Sequence, residues 1–329
     1  MQRFKHILAV VDPTQGADTV LQRAVSLAQN NQASLTAVCV APRMTLGMGM
    51  PDGGPISADL QRAATTEARQ QLEEVVAPFR AQVGIQTSVL VGTAFLEIIR
   101  EVLRNAHDLV IKSPEDPDWF DRVFGSDDMH LLRECPCPVW LVKSAQAPSY
   151  RRILAAVDVS LDHPAAELVT RGQLNLQILE MALSLALADF AELHVAHAWQ
   201  AIGERMMRGA ILSRPESEVE VYVEQVRQQH EVALDGLLQA VVKRQGGDAM
   251  EFLGPKTHLV KGQARKEIPA LAKRLRADLV VMGTVARTGV PGFFIGNTAE
   301  AILEQIDCSV LAVKPAGFAT PVTLQGDPA

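Results

Sequence analysis

Phe4-Lys5-His6-Ile7-Leu8-Ala9-Val10-Val11-Asp12 recurs as Arg151-Arg152-Ile153-Leu154-Ala155-Ala156-Val157-Asp158, and the recurrence continues in order as far as Lys314. Ser26-Leu27-Ala28 and Leu35-Thr36-Ala37-Val38-Cys39-Val40 correspond to Ser184-Leu185-Ala186 and Leu193-His194-Val195-Ala196-His197-Ala198. Val91-Gly92 corresponds to Lys261-Gly262, and Asp108-Leu109-Val110-Ile111 to Asp278-Leu279-Val280-Val281. Cys137-Pro138-Val139-Trp140-Leu141-Val142-Lys143 returns as Cys308-Ser309-Val310-Leu311-Ala312-Val313-Lys314. A unit written twice must satisfy one fold with two sequences, which outweighs any single motif. The boundary falls near Ala147-Pro148-Ser149-Tyr150, giving a first domain over residues 1–148 and a second over 149–329.

Within each copy, short β-branched runs alternate with helical stretches: Asp18 to Asn30, Ala58 to Ala81 and Phe95 to Ala106, then Leu174 to Ala188, Glu218 to Arg244 and Lys266 to Arg276. Strands separated by helices require right-handed crossovers. The expected architecture is therefore α/β, with two tandem doubly wound parallel sheets of five strands. The last strand of each copy is apolar and would lie at a sheet edge, where it needs a partner. Pairing of the two edges would make an internal pseudo-dimer.

In doubly wound sheets, ligands sit outside the carboxyl ends of the strands, where strand order reverses. Asp12, Asp158 and a glycine-rich run from Gly283 to Gly296 all fall at such ends. That run lies between the strand Asp278-Leu279-Val280-Val281-Met282 and the helical Ala301 to Ile306. Strand, glycine loop and helix N-terminus together cradle phosphate, because the backbone can approach and free N–H groups and the helix dipole face the anion. Arg287 in the loop could pair with a phosphate, or be solvated. Gly296, Asn297 and Thr298 open the helix, Asn297 serving as N-cap with Glu300 completing a capping box. Aspartate at position 283 is expected to abolish anion binding.

The first copy has lost this loop. Glu115, Asp116, Asp118, Asp121, Asp127 and Asp128 surround the equivalent place against Arg122, and Asp127 and Asp128 occupy the first helical positions. Each like charge near 4 Å opposes an anion by about 1 kcal/mol even in a water-like dielectric. This copy is not expected to hold a triphosphate.

These residues resemble the universal stress protein family in its tandem form, across essentially the whole chain. Ile-Leu-Ala-Ala-Val-Asp at 153–158, Gly-Thr-Val-Ala-Arg-Thr-Gly at 283–289 and Gly-Asn-Thr-Ala-Glu at 296–300 carry the likeness, with the Cys-Pro-Val-Trp-Leu-Val-Lys ending of the first copy. The resemblance implies a flavodoxin-like or adenine-nucleotide α-hydrolase-like fold, cytoplasmic location, dimeric or pseudo-dimeric association, and stress resistance without established catalysis. It implies ATP or a related adenine nucleotide as ligand, with Asp158 meeting ribose or adenine and Ala198 presenting backbone to the base. ATP-binding members carry Gly, two residues, Gly, nine residues and Gly-Ser/Thr; here Gly283, Ala286, Gly296 and Asn297 stand at those places, and Ala286 and Asn297 depart.

A net charge of −7 argues against a broad nucleic-acid surface, and no apolar run approaches membrane-spanning length. Cys39, Cys135, Cys137 and Cys308 read as buried reduced thiols. The Cys135-Pro136-Cys137 pair has no second pair to complete a metal site, so no metal is expected. His194 and His197 lie three apart on a strand and face opposite ways. The helix Glu218 to Arg244 carries a stripe including Tyr222, Val226 and His230 that reads as core packing. The methionine-bearing segments Pro42 to Pro55 and Gln200 to Arg214 read as loops folded on the core or as lids over a greasy cleft. Two functions follow: non-catalytic binding of an adenine nucleotide or other phosphate-bearing metabolite by the second domain, or a nucleotide-free scaffold or carrier of an apolar, lipid-like ligand. Weak nucleotide hydrolysis ranks below both, since no general base stands beside the glycine loop.

Overall fold

The computed structural model describes residues 4–44, 55–115, 127–143, 149–209, 212–284 and 296–324. The first repeat runs β1 (His6–Val10), α1 (Ala17–Asn31), β2 (Ser34–Ala41), α2 (Pro55–Val76), a 3-10 turn (Ala77–Phe79), β3 (Ile85–Val91), α3 (Ala94–Asn105), β4 (Leu109–Lys112), α4 (Asp127–Glu134) and β5 (Val139–Leu141). The second runs β6 (Arg152–Ala156), α5 (Ala165–Asp189), β7 (Glu192–Trp199), α6 (Glu204–Arg208), α7 (Glu216–Gln245), α8 (Gly247–Leu253), β8 (Lys256–Lys261), α9 (Ala264–Leu275), β9 (Leu279–Gly283), α10 (Asn297–Leu303) and β10 (Ser309–Val313).

Each repeat orders its five strands in parallel, β3-β2-β1-β4-β5 and β8-β7-β6-β9-β10. The two five-stranded sheets join into one ten-stranded sheet, because the two edge strands expected to pair, β5 and β10, do so antiparallel with Trp140 opposite Leu311. Pairing these two apolar strands removes two exposed edges at once. The central strands are apolar runs buried on both faces, as helix-covered parallel sheets require: Ile7, Leu8, Leu109, Val110, Ile153, Leu154, Leu279 and Val280 are all fully buried. One core fills each face of the sheet, and both cores run through the two repeats.

Duplicated residues do duplicated work. Asp108 accepts the Lys5 and His6 N–H groups at 2.7 and 3.1 Å, and Asp278 accepts those of Arg151 and Arg152 at 2.7 and 2.8 Å. Gly92 and Gly262 adopt φ of 144° and 146°, and a Cβ at either would meet Glu97 or Glu267 folded back from the following helix. Across the seam, Arg23 of α1 reaches Asp189 of α5 at 2.6 Å and lies 3.7 Å from the Tyr150 ring centroid, while Tyr150 accepts from Trp140 Nε1 at 3.2 Å.

Candidate functional site

The strand order of the second repeat reverses between β6 and β9, and a cleft of about 590 Å³ opens there. Asp158, Ala198, Gly283, Gly296, Asn297 and Thr298 all line it. Ala286 and Arg287 lie outside the described residues. The floor is apolar, with Leu174, Ile178, Ile268, Met282 and Ile302.

Asp158 follows β6 and is held from several sides. Its carboxylate accepts Arg171 Nη1 at 2.9 Å and the Ser160 N–H at 3.1 Å, and His163 Nε2 lies at 3.1 Å. Its backbone N–H donates to Asn175 Oδ1 at 3.1 Å, and its carbonyl accepts Asn175 Nδ2 at 2.6 Å. Burial works to raise its pKa, but the Ser160 amide and hydroxyl, then Arg171 and His163, outweigh it and hold the acid below the usual carboxylate value. Arg171, His163 and Asn175 come from α5 and the loop before it. Sequence reasoning missed them because no motif ties them to Asp158, although Asn175 and Arg171 stand one helical turn apart.

Gly283 ends β9 beneath α5. A Cβ there would lie 2.7 Å from Leu174 Cδ2, so any larger residue must displace the Leu174 side chain that packs on the strand end. Beyond it, Thr284 is fully buried; its carbonyl accepts the Gly296 N–H at 3.1 Å, and its hydroxyl accepts Lys314 Nζ at 2.8 Å. Lys314 also donates to the Leu132 and Arg133 carbonyls at the end of α4.

The capping-box expectation is corrected. Gly296 is the N-cap, Asn297 is the first helical residue, and no side chain caps α10. The first helical bond from the cap is Glu300 N–H to the Gly296 carbonyl, so the amides of Asn297, Thr298 and Ala299 have no intrahelical partner. Glu300 instead turns away to Arg133 of the first repeat, at 2.5 Å. That pairing neutralises the carboxylate that would otherwise stand against an anion at the helix end.

The corresponding place in the first repeat is sealed differently. Lys112 at the end of β4 donates to Asp128 of α4, both buried, and Asp128 also accepts the Glu115 N–H at 2.9 Å. Asp128 is thus half of an internal ion pair rather than a free dipole partner, and Lys112 is a cation that the count against Arg122 overlooked. Residues 116–126 lie outside the described residues.

His230 is buried on α7, as its place in the apolar stripe predicts, and it also lines the cleft. His197 Nε2 lies 3.0 Å from His230 Nδ1, and His197 Nδ1 lies 3.2 Å from the Val157 carbonyl. His194 contacts His258 at 2.9 Å, well apart from this pair in its bonding. Lys261 is taken up by Glu204 at 2.8 Å. In the methionine-bearing segment, α6 buries none of its residues, while Gln200 and Ile202 line the cleft. Met48 and Met50 lie outside the described residues; Met44 is tied to α2 through Gln61 and Ser57. The four cysteines are free and buried. Among the described residues no helix is long and apolar enough to cross a membrane.

The profile of the universal stress protein family matches residues 3–143 and again 149–314. Universal stress protein E of Salmonella typhi is 31% identical over 336 residues, covering 99% of each chain, and that of Escherichia coli K12 is 30% identical over 332 residues with the same coverage. A solved structure from Pseudomonas aeruginosa PAO1 superposes with a TM-score of 0.64 at 27% identity, covering 95% of this chain and 94% of its own. With two profile matches on one duplicated sheet, this chain belongs to the universal stress protein family.

Proposed function

We propose that the second repeat binds an adenine nucleotide, or a related phosphate-bearing metabolite, in the cleft between β6 and β9, and that the protein serves a stress response by binding rather than by catalysis. The observation that carries this reading is a cleft of about 590 Å³ at the point where the strand order reverses: Asp158, Ala198, Gly283 and the first residues of α10 line it together, and the nearby Glu300 carboxylate is neutralised from the other repeat. Unpaired helix-start N–H groups suit phosphate oxygens. The volume lies within the roughly 300–1,000 Å³ of small-molecule sites. Asp158 and Ala198 line the same cleft as the start of α10, which supports a ribose and base lying along it. Asp158 is a weak proton acceptor at neutral pH because its ionised form is already stabilised, which supports holding a ligand over turning it over.

Equilibrium dialysis with ATP, ADP and AMP tests the reading, with retention expected below millimolar ligand. Thr298→Asp supplies a control, because Asp127 occupies the corresponding position in the first repeat. Thr298 is exposed at the helix start, where aspartate favours the fold and repels an anion. A loss of about tenfold or more in affinity, with unchanged melting, is expected. No retention of any nucleotide by the wild-type protein refutes the proposal.

A further inference from the structure

We propose that His230 selects the base, its Nε2 accepting a hydrogen bond from the 6-amino group of adenine. The inference rests on the nucleotide reading above and adds a residue of this chain to it.

The proton order follows from chemistry. The Val157 carbonyl can only accept, so the His197 Nδ1 beside it carries the hydrogen. A neutral His197 then has a bare Nε2, which must accept from His230 Nδ1–H at 3.0 Å. A neutral His230 that spends its hydrogen on His197 is left with a lone pair at Nε2. Among the described residues no donor meets that atom. Burial lowers the basicity of both rings, more strongly than the Asp158 and Asp162 carboxylates raise it, so the pair is neutral near pH 7.

The surroundings suit a flat base. His230 forms a wall shared by the main cleft and an adjoining cavity of about 210 Å³. The Trp199 ring lies 5.9 Å from the His230 ring, and both line the cleft next to Ala198 at the end of β7. An aromatic pair beside an apolar floor favours a planar ligand, and the bare Nε2 of that wall sets which edge it must present there. A 6-oxo purine would bring oxygen against a lone pair, leaving both unsatisfied.

ATP and inosine triphosphate differ at this position, amino against oxo, and are the probes. Wild-type protein is expected to bind ATP about tenfold or more tightly than inosine triphosphate. His230→Phe keeps the ring but not the acceptor, and is expected to bring the two within about twofold. His230→Gln can donate its amide to His197 and accept with its oxygen, so it is expected to keep the preference; if His230→Phe fails to fold by its melting curve, wild type and His230→Gln still decide. Equal binding of both nucleotides by the wild type, or an unchanged preference in His230→Phe, overturns the assignment of His230 while leaving nucleotide binding intact. Retention of neither nucleotide removes the reading on which it rests.

Discussion

Gly283 gives the sharpest test of what the glycine loop is for. A Cβ at this position would lie 2.7 Å from Leu174 Cδ2 and 3.3 Å from Leu174 Cγ. Carbon contacts are comfortable at about 3.5–4.0 Å, so Leu174 or the strand end must retreat by nearly an ångström. Overpacking of this kind destabilises by about 1–3 kcal/mol. Gly283 is not among the glycines with positive φ, so alanine meets no backbone penalty and gains about 0.4–1 kcal/mol from a stiffer unfolded chain. Gly283→Ala should therefore lose about 1–2 kcal/mol net. Leu174→Ala alone should lose about 2–5 kcal/mol, since Leu174 is buried. In the double variant the alanine methyl at 283 occupies part of the space Leu174 vacates, so the combined loss should fall short of the sum by about 1 kcal/mol or more. Urea unfolding of the four proteins at constant m measures this. A Gly283→Ala protein as stable as wild type, or strictly additive losses, would refute the packing argument. The same geometry changes the meaning of Gly283→Asp: lost nucleotide binding there would report a displaced α5 as readily as a repelled phosphate.

Two further outcomes follow from buried charge. Burial brings Lys314 down to about 7, against the pull of the Cys135, Cys137 and Glu134 groups. The unfolded chain then holds a proton that the folded one has released between pH 7 and 10.5, so this group makes stability rise with pH across that window, by up to about 1.4 kcal/mol per unit, and contributes no slope below it. Urea titrations from pH 6 to 9 should show wild type gaining on Lys314→Met only above neutrality; a constant difference would refute it. In the first repeat, Asp128→Ala should lose about 3 kcal/mol by stranding Lys112, whereas Lys112→Met with Asp128→Ala, which copies Met282 and Ala299, should recover most of that in the same assay. A double variant no better than the single one would sink the comparison.

The fold was legible because its signal is local and stated twice. Runs such as Ile7-Leu8-Ala9-Val10 and Leu279-Val280-Val281 are short, apolar and β-branched, as doubly covered strands are, and finding each in two copies fixes the unit. That Asp158, Ala198 and Gly283, at those strand ends, would line one cleft was legible for the same reason. Arg171, Asn175 and His230 were not, since they reach the cleft from 13, 17 and 33 positions away from their partners along α5 and α7. Helical periodicity says which side of α7 is buried, and cannot distinguish a core wall from a cleft wall. Asn297 was misplaced by one residue because a cap depends on backbone angles set by tertiary contacts, here the Gly296 N–H held by Thr284.

Set side by side, the two repeats fill corresponding places in one geometry with different chemistry. Met282 and Ala299 meet the cleft at the end of β9 and the start of α10; Lys112 and Asp128 stand at the corresponding places in the first repeat. An apolar pair brings no charge to that region, whereas the ion pair places a carboxylate of its own there and satisfies it with Lys112 and the Glu115 N–H. The first repeat does not thereby leave the site. Its α4 sends Arg133 to Glu300, and its Leu132 and Arg133 carbonyls hold Lys314, which in turn donates to Thr284 behind the glycine loop. Removing the first repeat would leave Glu300 uncompensated beside the amides and Lys314 without two of its acceptors. The repeat that holds an internal ion pair at this place is thus the one that pairs the other repeat's Glu300, and the antiparallel seam between β5 and β10 brings α4 close enough to do so.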